Sequence, residues 1–452
     1  MTNNVLARLD GINWSPYLVK LILFLAFGLF FEYYDIFITG YIAPSLLKSN
    51  VFDSNTHGFM GLNDIALFAS CMFLGMWCGT LLLGYLSDKY GRRNIFTWSL
   101  IWYSLCTFIM AFQTTKLGFN IWRFLASIGL GIEMVTVTSY ISELVPSKYR
   151  GRASAIAMVI AFMAVPLVAL LSWLLSSHTY YGVDGFRIVI IIGSFGAVFV
   201  WFLRRGLPES PRWLYTHGKQ EQAISIIELL ERKTNTVYLK DKDYLSILPE
   251  RINTYSNIFK PPLIKSTIVL IIFHVLQTIG YYGFATWAPL ILLSKGITIT
   301  KTLQYSFIIA IANPIAPILY SLFADRIQRK MQMVIVPLLV ALFGILFAFQ
   351  SNSIWIIIVG VCLTLSINIL SCAFLVYQAE LYPTKIRSTA VGFVYSWSRF
   401  SAIFSSFIFA FIIHYYNTII LFTFIAVCML IISIMVLFYG KNTNNTQLEK
   451  IN

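Results

Sequence analysis

YISELVPSKYRGR at 140–152 returns at 377–389 as YQAELYPTKIRST, keeping Glu143, Pro146 and Arg150 as Glu380, Pro383 and Arg387. A second stretch repeats in the same register. GYLSDKYGRR at 84–93 has an echo in FADRIQRK at 323–330, which pairs Asp88 with Asp325 and Arg92 with Arg329. Each of these pairs is 237 residues apart. Chance similarity would not hold one offset across two separate motifs, so the chain reads as two parallel halves related by an axis along a membrane normal.

The material around the motifs is apolar. Of 452 residues 58% are hydrophobic and 12% charged, where a soluble domain carries nearer a quarter charged residues. Runs long enough to span a bilayer fall at about 20–46, 63–84, 95–113, 118–142, 152–177 and 187–204, and again at about 264–292, 302–324, 332–350, 353–378, 388–414 and 416–439. The expected fold is an all-α membrane protein of twelve transmembrane helices in two pseudo-symmetric six-helix bundles. Its expected divisions are 1–205 for the first bundle, 206–263 for a linker with short helices, 264–440 for the second bundle and 441–452 for a polar, disordered tail. Within the linker, KQEQAISIIELLERK at 219–233 has the apolar spacing of a surface helix.

The net charge of +14 could suggest nucleic acid. The basic residues instead sit in short loops, and Lys89, Arg92, Arg93, Lys148, Arg150, Arg152, Arg326, Arg329, Lys330, Lys385 and Arg387 fall on one side. That asymmetry predicts a multi-pass protein of the cell membrane with both termini cytoplasmic, and no nucleic-acid partner. Residues 1–19 are polar and the first apolar run is too long for a cleaved signal. The six cysteines lie inside apolar runs without CxxC spacing, and the five histidines show no paired spacing. We therefore expect no disulfide, metal or cofactor, and no nucleophile–base set marks an enzyme.

A few ionisable residues interrupt the apolar runs. Arg123 opens the fourth run and Glu133 follows ten residues on, a rise of about 15 Å and half the hydrocarbon core. In the first run, FFEYYDIFITGYIAP, Glu32 and Asp35 are three apart and share a helix face. Arg399 lies twelve residues beyond Arg387, about 18 Å into the membrane. Charges at such depths persist when they have partners or carry a task. A guanidinium facing a cavity would suit a carboxylate; the alternative for Arg399 is a structural ion pair with a carboxylate of the first half.

Gly84, Asp88, Gly91, Arg92 and Arg93 resemble the signature loop between the second and third helices of the major facilitator superfamily, with Asp325 and Arg329 as its repeat. Arg123 with Gly129, Gly131 and Glu133 resembles the fourth helix of the sugar-porter and organic-ion branch. Glu143 with Arg150, and Glu380 with Arg387, resemble its cytoplasmic Glu/Arg motifs, while PESPRWL at 208–214 resembles its mark after helix six. The resemblance covers nearly the whole chain and resembles a metabolite:proton symporter. It implies that the signature-loop residues and their repeat, with Glu143, Arg150, Glu380 and Arg387, form a conformational latch, that Asp35 pairs with Arg123, and that the pair carries coupling protons. A static bridge is the other reading of that pair. Glu133 is a second coupling candidate, with a structural role as its alternative, and Glu32 a third, which could simply brace the helix.

The same resemblance bears on the substrate. Sugar porters carry paired glutamines in the seventh helix, whereas HVLQTIGYYGFATWAP at 274–289 keeps only Gln277 and places Tyr282 near the expected asparagine. SWSRF at 396–400 resembles the eleventh helix of organic-anion carriers. Tyr281, Tyr282, Trp287, Tyr395 and Trp397 could wall a site for a flat acid, though aromatics are so common here, at 16%, that core packing is the favoured role for most of them. The expectation is a monomeric, proton-coupled symporter of a small organic anion, a monocarboxylate or aromatic acid, working by alternating access in the lipid bilayer. A sugar or polyol symporter is the alternative, and a non-transporting nutrient sensor the alternative of another class.

Overall fold

The computed structural model describes residues 4–52, 63–82, 85–196, 206–236, 258–261, 263–323, 326–382 and 387–442. Eleven helices among them are long and apolar enough to cross a bilayer. The first five spans are Pro16–Lys48, Asp64–Leu82, Arg92–Ala111, Lys116–Leu144 and Arg150–Leu175. The sixth is described as Gly185–Ser194, and its expected end at 204 lies outside the described residues. In the second half the seventh and eighth spans are each divided, as Leu263–Ala285 with Ala288–Ser294 and Ile299–Ala310 with Ala312–Phe323. Arg329–Phe349, Ser353–Glu380, Arg387–Tyr415 and Thr418–Tyr439 complete the twelve-span fold.

Local signals fix where spans begin. Ser15 accepts from the Leu18 N–H ahead of Pro16, Thr115 from the Gly118 N–H, and Asn417 from the Ile420 N–H. Each satisfies a donor that the first helical turn would otherwise orphan. The runs expected as single helices over 264–292 and 302–324 are both broken. Pro289 and Pro314 are the cause, since a proline ring clashes with the carbonyl four residues back and offers no N–H. In the eighth span the carbonyl freed at Ala310 accepts from Asn313 Nδ2 at 2.8 Å.

The repeat seen in the sequence has a three-dimensional counterpart. Arg92 Nη2 lies 2.8 Å from Glu143 Oε1, and Arg329 Nε lies 2.6 Å from Glu380 Oε1. One ion pair therefore recurs at the same register in each half. The halves meet with the second span against the eleventh and the fifth against the eighth. From the linker, Pro211–Thr216 and Gln220–Lys233 are helical, while 237–257, and the tail from 443, lie outside the described residues. Exposed side chains such as Trp98, Leu117, Phe349 and Phe438 are apolar, which suits a surface solvated by lipid.

Candidate functional site

The first and fourth spans bring Asp35 and Arg123 together. Arg123 Nη1 donates to Asp35 Oδ2 at 2.9 Å and Nη2 to the Asp35 carbonyl at 2.5 Å, while Thr107 Oγ1 donates to Asp35 Oδ1 at 3.1 Å. Neither side chain has meaningful exposure. The pair is thus enclosed in the first half and does not line the central cavity.

Glu32 and Glu133 are different. Both are fully buried, and none of their four carboxyl oxygens has a hydrogen-bond partner among the described residues. A Cβ built on Gly28 would lie 3.0 Å from Glu133 Oε1. Gly28 stands one turn before Glu32, so the Glu133 carboxyl rests against the helix face that carries Glu32.

Between the halves lies a cavity of about 60 Å³. Tyr33, Phe37, Met134 and Phe162 line it from the first half, and His274, Gln277, Tyr281, Tyr282, Ser371, Phe374 and Tyr395 from the second. Such a space has room for several waters or one compact solute.

Arg399 stands directly behind this wall. Its Nη1 donates to the Tyr282 hydroxyl, and its Nη2 to the Tyr395 hydroxyl at 3.2 Å and to the Met134 sulfur. Only 1% of it is exposed. Among the described residues no carboxylate comes within 4.0 Å of its nitrogens, so no contact ion pair forms, although Glu32 of the first half lies within electrostatic range of the guanidinium.

Gln277, Tyr281, Tyr282 and Tyr395 line the cavity. Trp287 and Trp397 do not. Trp287 caps the break in the seventh span and packs edge-on against Phe409, and Trp397 packs against Phe400. Two residues of helix turn the chain about 200°, so Trp397 points away from the face that Arg399 and Tyr395 share.

Sequence reasoning passed over His274. Its Nε2 lies 3.0 Å from Gln378 Oε1, and its ring meets those of Phe374 and Tyr395 edge-on at 4.6 and 5.4 Å. The available signal was its position three residues before Gln277, on the same helix face.

The motifs expected to form a latch assemble at the basic end. Gly91 adopts φ +95°, a conformation that other residues resist, and so turns the chain into the third span. Arg92 Nη1 lies 2.6 Å from Asp88 and donates to Ser87, while the rest of its guanidinium holds Glu143. Glu209, from the segment after the sixth span, accepts from the backbone N–H of Arg92 at 3.0 Å and of Arg93 at 3.1 Å. A carboxylate at a helix N-terminus is favoured by the exposed N–H groups and the helix dipole. Ser210 Oγ adds a bond to Glu143 Oε2 at 2.7 Å, and Trp213 Nε1 one to the Asp88 carbonyl at 2.6 Å. The roles of Glu209 and Ser210 were not legible in the sequence, which marked 208–214 only by resemblance. Arg150 Nε donates to the Val145 carbonyl at 3.3 Å. Gly84 and Asp325, together with the Arg387 side chain, lie outside the described residues.

At the opposite end the two halves touch. A Cβ on Gly40 would run into the Thr286 carbonyl oxygen, so the first and seventh spans meet backbone to backbone. Trp173 and Phe307 stack across the same interface at 5.8 Å.

Comparison with known proteins decides the family. The family model described as sugar (and other) transporter matches residues 21–452. The chain belongs to that family. It is thereby a membrane transporter of the major facilitator superfamily. A putative metabolite transport protein, YyaJ of Bacillus subtilis, is 30% identical over 99% of this chain and 97% of its own length. The benzoate transport protein of Acinetobacter baylyi is 27% identical over 88% of this chain and 84% of its own. In fold, the xylose transporter XylE from E. coli in a partially occluded, inward-open conformation matches with a TM-score of 0.75 at 18% identity, covering 96% of this chain and 100% of that one.

Proposed function

We propose that this transporter carries a small organic anion, a monocarboxylate or aromatic acid, together with a proton by alternating access. The observation that carries the reading is Arg399, buried behind the cavity wall with two tyrosine hydroxyls and no carboxylate. A buried guanidinium without a carboxylate in contact is costly, and an anionic substrate drawn toward it would supply that contact. The aromatic lining suits a flat solute, and the benzoate transport protein is one of the relatives.

Proton carriage falls to the carboxyls of the first half. An ionised carboxylate without a donor is expensive at this depth, which suits Glu32 and Glu133 to holding protons. Asp35 with Arg123 would open and re-form as the halves rock. Both termini are cytoplasmic in this reading, with residues 1–205 and 264–440 as the two rocking bundles, 206–263 as their linker, and the monomer as the working unit.

Uptake of labelled acids and sugars into proteoliposomes, with and without an imposed proton gradient, tests the proposal. Acids should accumulate only with the gradient. Accumulation of a neutral sugar or polyol instead would favour the alternative in which Gln277 and its neighbours hold hydroxyls, and binding without any flux would favour a nutrient sensor.

A further inference from the structure

Two unpartnered acceptors face the cavity from one stripe of the seventh span. With Gln378 Oε1 accepting from His274 Nε2 at 3.0 Å, the ring proton sits on Nε2 and Nδ1 is left as an acceptor. Three residues on, Gln277 Nε2 donates to Ser371 Oγ at 3.2 Å, and Ser371 gives its own proton to the Ile367 carbonyl at 3.1 Å. That chain of donors fixes the amide orientation and leaves Gln277 Oε1 without a partner among the described residues. His274 is 1% exposed and Gln378 also 1%, so the arrangement is built into the wall.

The guanidinium and the imidazole flank one ring. Arg399 Cζ lies 5.4 Å from the Tyr395 ring centre, and the His274 ring centre lies 5.4 Å from it as well. At most twice that distance separates the two groups, a span that a single substituted ring bridges when its carboxylate turns toward Arg399. No carboxylate lines this cavity, so a cationic group at the far edge would find no counter-charge.

Resting on the anion reading above, we infer that His274 is a specificity-determining residue, which selects acids bearing a neutral hydrogen-bond donor, a hydroxyl or amino group, at the end remote from the carboxylate. A ligand without that donor leaves Nδ1 buried and dry. Sites built to bond a substrate hydroxyl reject the analogue lacking it by tenfold or much more.

The test compares initial uptake of labelled benzoate, 4-hydroxybenzoate and 4-methoxybenzoate by proteoliposomes holding the full chain. The hydroxy acid should be carried at least about tenfold better than either analogue. His274→Phe, which keeps a ring but no acceptor, should bring the ratios toward unity, and His274→Gln, which restores an acceptor, should recover most of the preference. Should the phenylalanine variant fail to insert, Gln378→Leu decides, because releasing the tautomer should also lower the ratio. Equal uptake of the three acids by the wild type, or an unchanged ratio in the inserted variants, overturns the inference. Transport of xylose with none of the acids sinks the anion reading and this inference together, whereas transport of all three acids alike sinks this inference alone.

Discussion

Arg123 Nη1 and Asp35 Oδ2 lie 2.9 Å apart with the arginine 0% exposed and the aspartate 3%. Removing one member of such a pair strands the other in a medium that cannot solvate it, at a cost of about 3–5 kcal/mol. Asp35→Ala should therefore lower the unfolding temperature sharply. Asp35→Asn, whose amide oxygen can still accept from Arg123, should lose less stability than the alanine variant, retain substrate exchange and lose gradient-driven accumulation. Counterflow measured beside accumulation separates these, and full accumulation by the asparagine variant would remove Asp35 from coupling.

Glu133 should behave in the opposite way toward stability. Its carboxyl oxygens have no donor, so Glu133→Gln exchanges one unpartnered buried polar group for another, removes no bond and should change the unfolding temperature little. Accumulation and its dependence on external pH should nevertheless fall. An unaltered pH profile in Glu133→Gln would return the residue to a structural role, and Glu32→Gln can be read by the same assay.

Arg399→Lys keeps the charge and loses the planar fork. Charge-assisted bonds contribute about 1.5–3 kcal/mol, so acid uptake should drop roughly tenfold to a hundredfold. Arg399→Ala should lose more. Equal losses for a neutral solute would show that the substitution damages the fold and not recognition.

Gly40→Val should hold the halves apart where the first and seventh spans meet, because its side chain would occupy the Thr286 carbonyl. Transport should cease while equilibrium binding of an acid survives. Thiol labelling of a cysteine placed at Trp173 should rise in the same variant; unchanged labelling with intact transport would contradict the seal.

Lys295 offers a pH test outside the spans. Its Nζ donates to the carbonyls of Phe347, Ala348 and Gln350 at 2.8–2.9 Å, at the C-terminal end of the ninth span. Burial draws the ammonium down from 10.5 to about 8. Between those values the unfolded chain holds a proton that the folded chain has released, so the lysine's contribution to stability grows as pH rises through that window. Lys295→Met should be less stable than wild type, because it leaves three carbonyls uncapped. The gap in unfolding midpoint should widen from near pH 7 to near pH 10; a narrowing gap would contradict the assignment.

The duplication and the twelve spans were legible because length, apolarity and one shared offset are properties of the chain read alone. Arg399 and Tyr395 could be placed on one face, since four residues separate them. The same count sets Trp397 on the opposite face, whereas Trp287 could not be assigned, because a helix apolar all round gives no sign of which face meets a cavity and which meets lipid. Likewise, Glu209 reaches Arg92 across 117 positions and His274 reaches Gln378 across 104. Such pairings exist only once the spans are packed. The prolines that divide the seventh and eighth spans were in plain view, but hydropathy windows average over them.

Where Gly40 meets Thr286, the closure is made of peptide atoms, which every substitution in the neighbouring wall leaves in place. Leak resistance and chemical selectivity are therefore separable properties of this molecule. Changes to the side chains that line the cavity leave this door untouched.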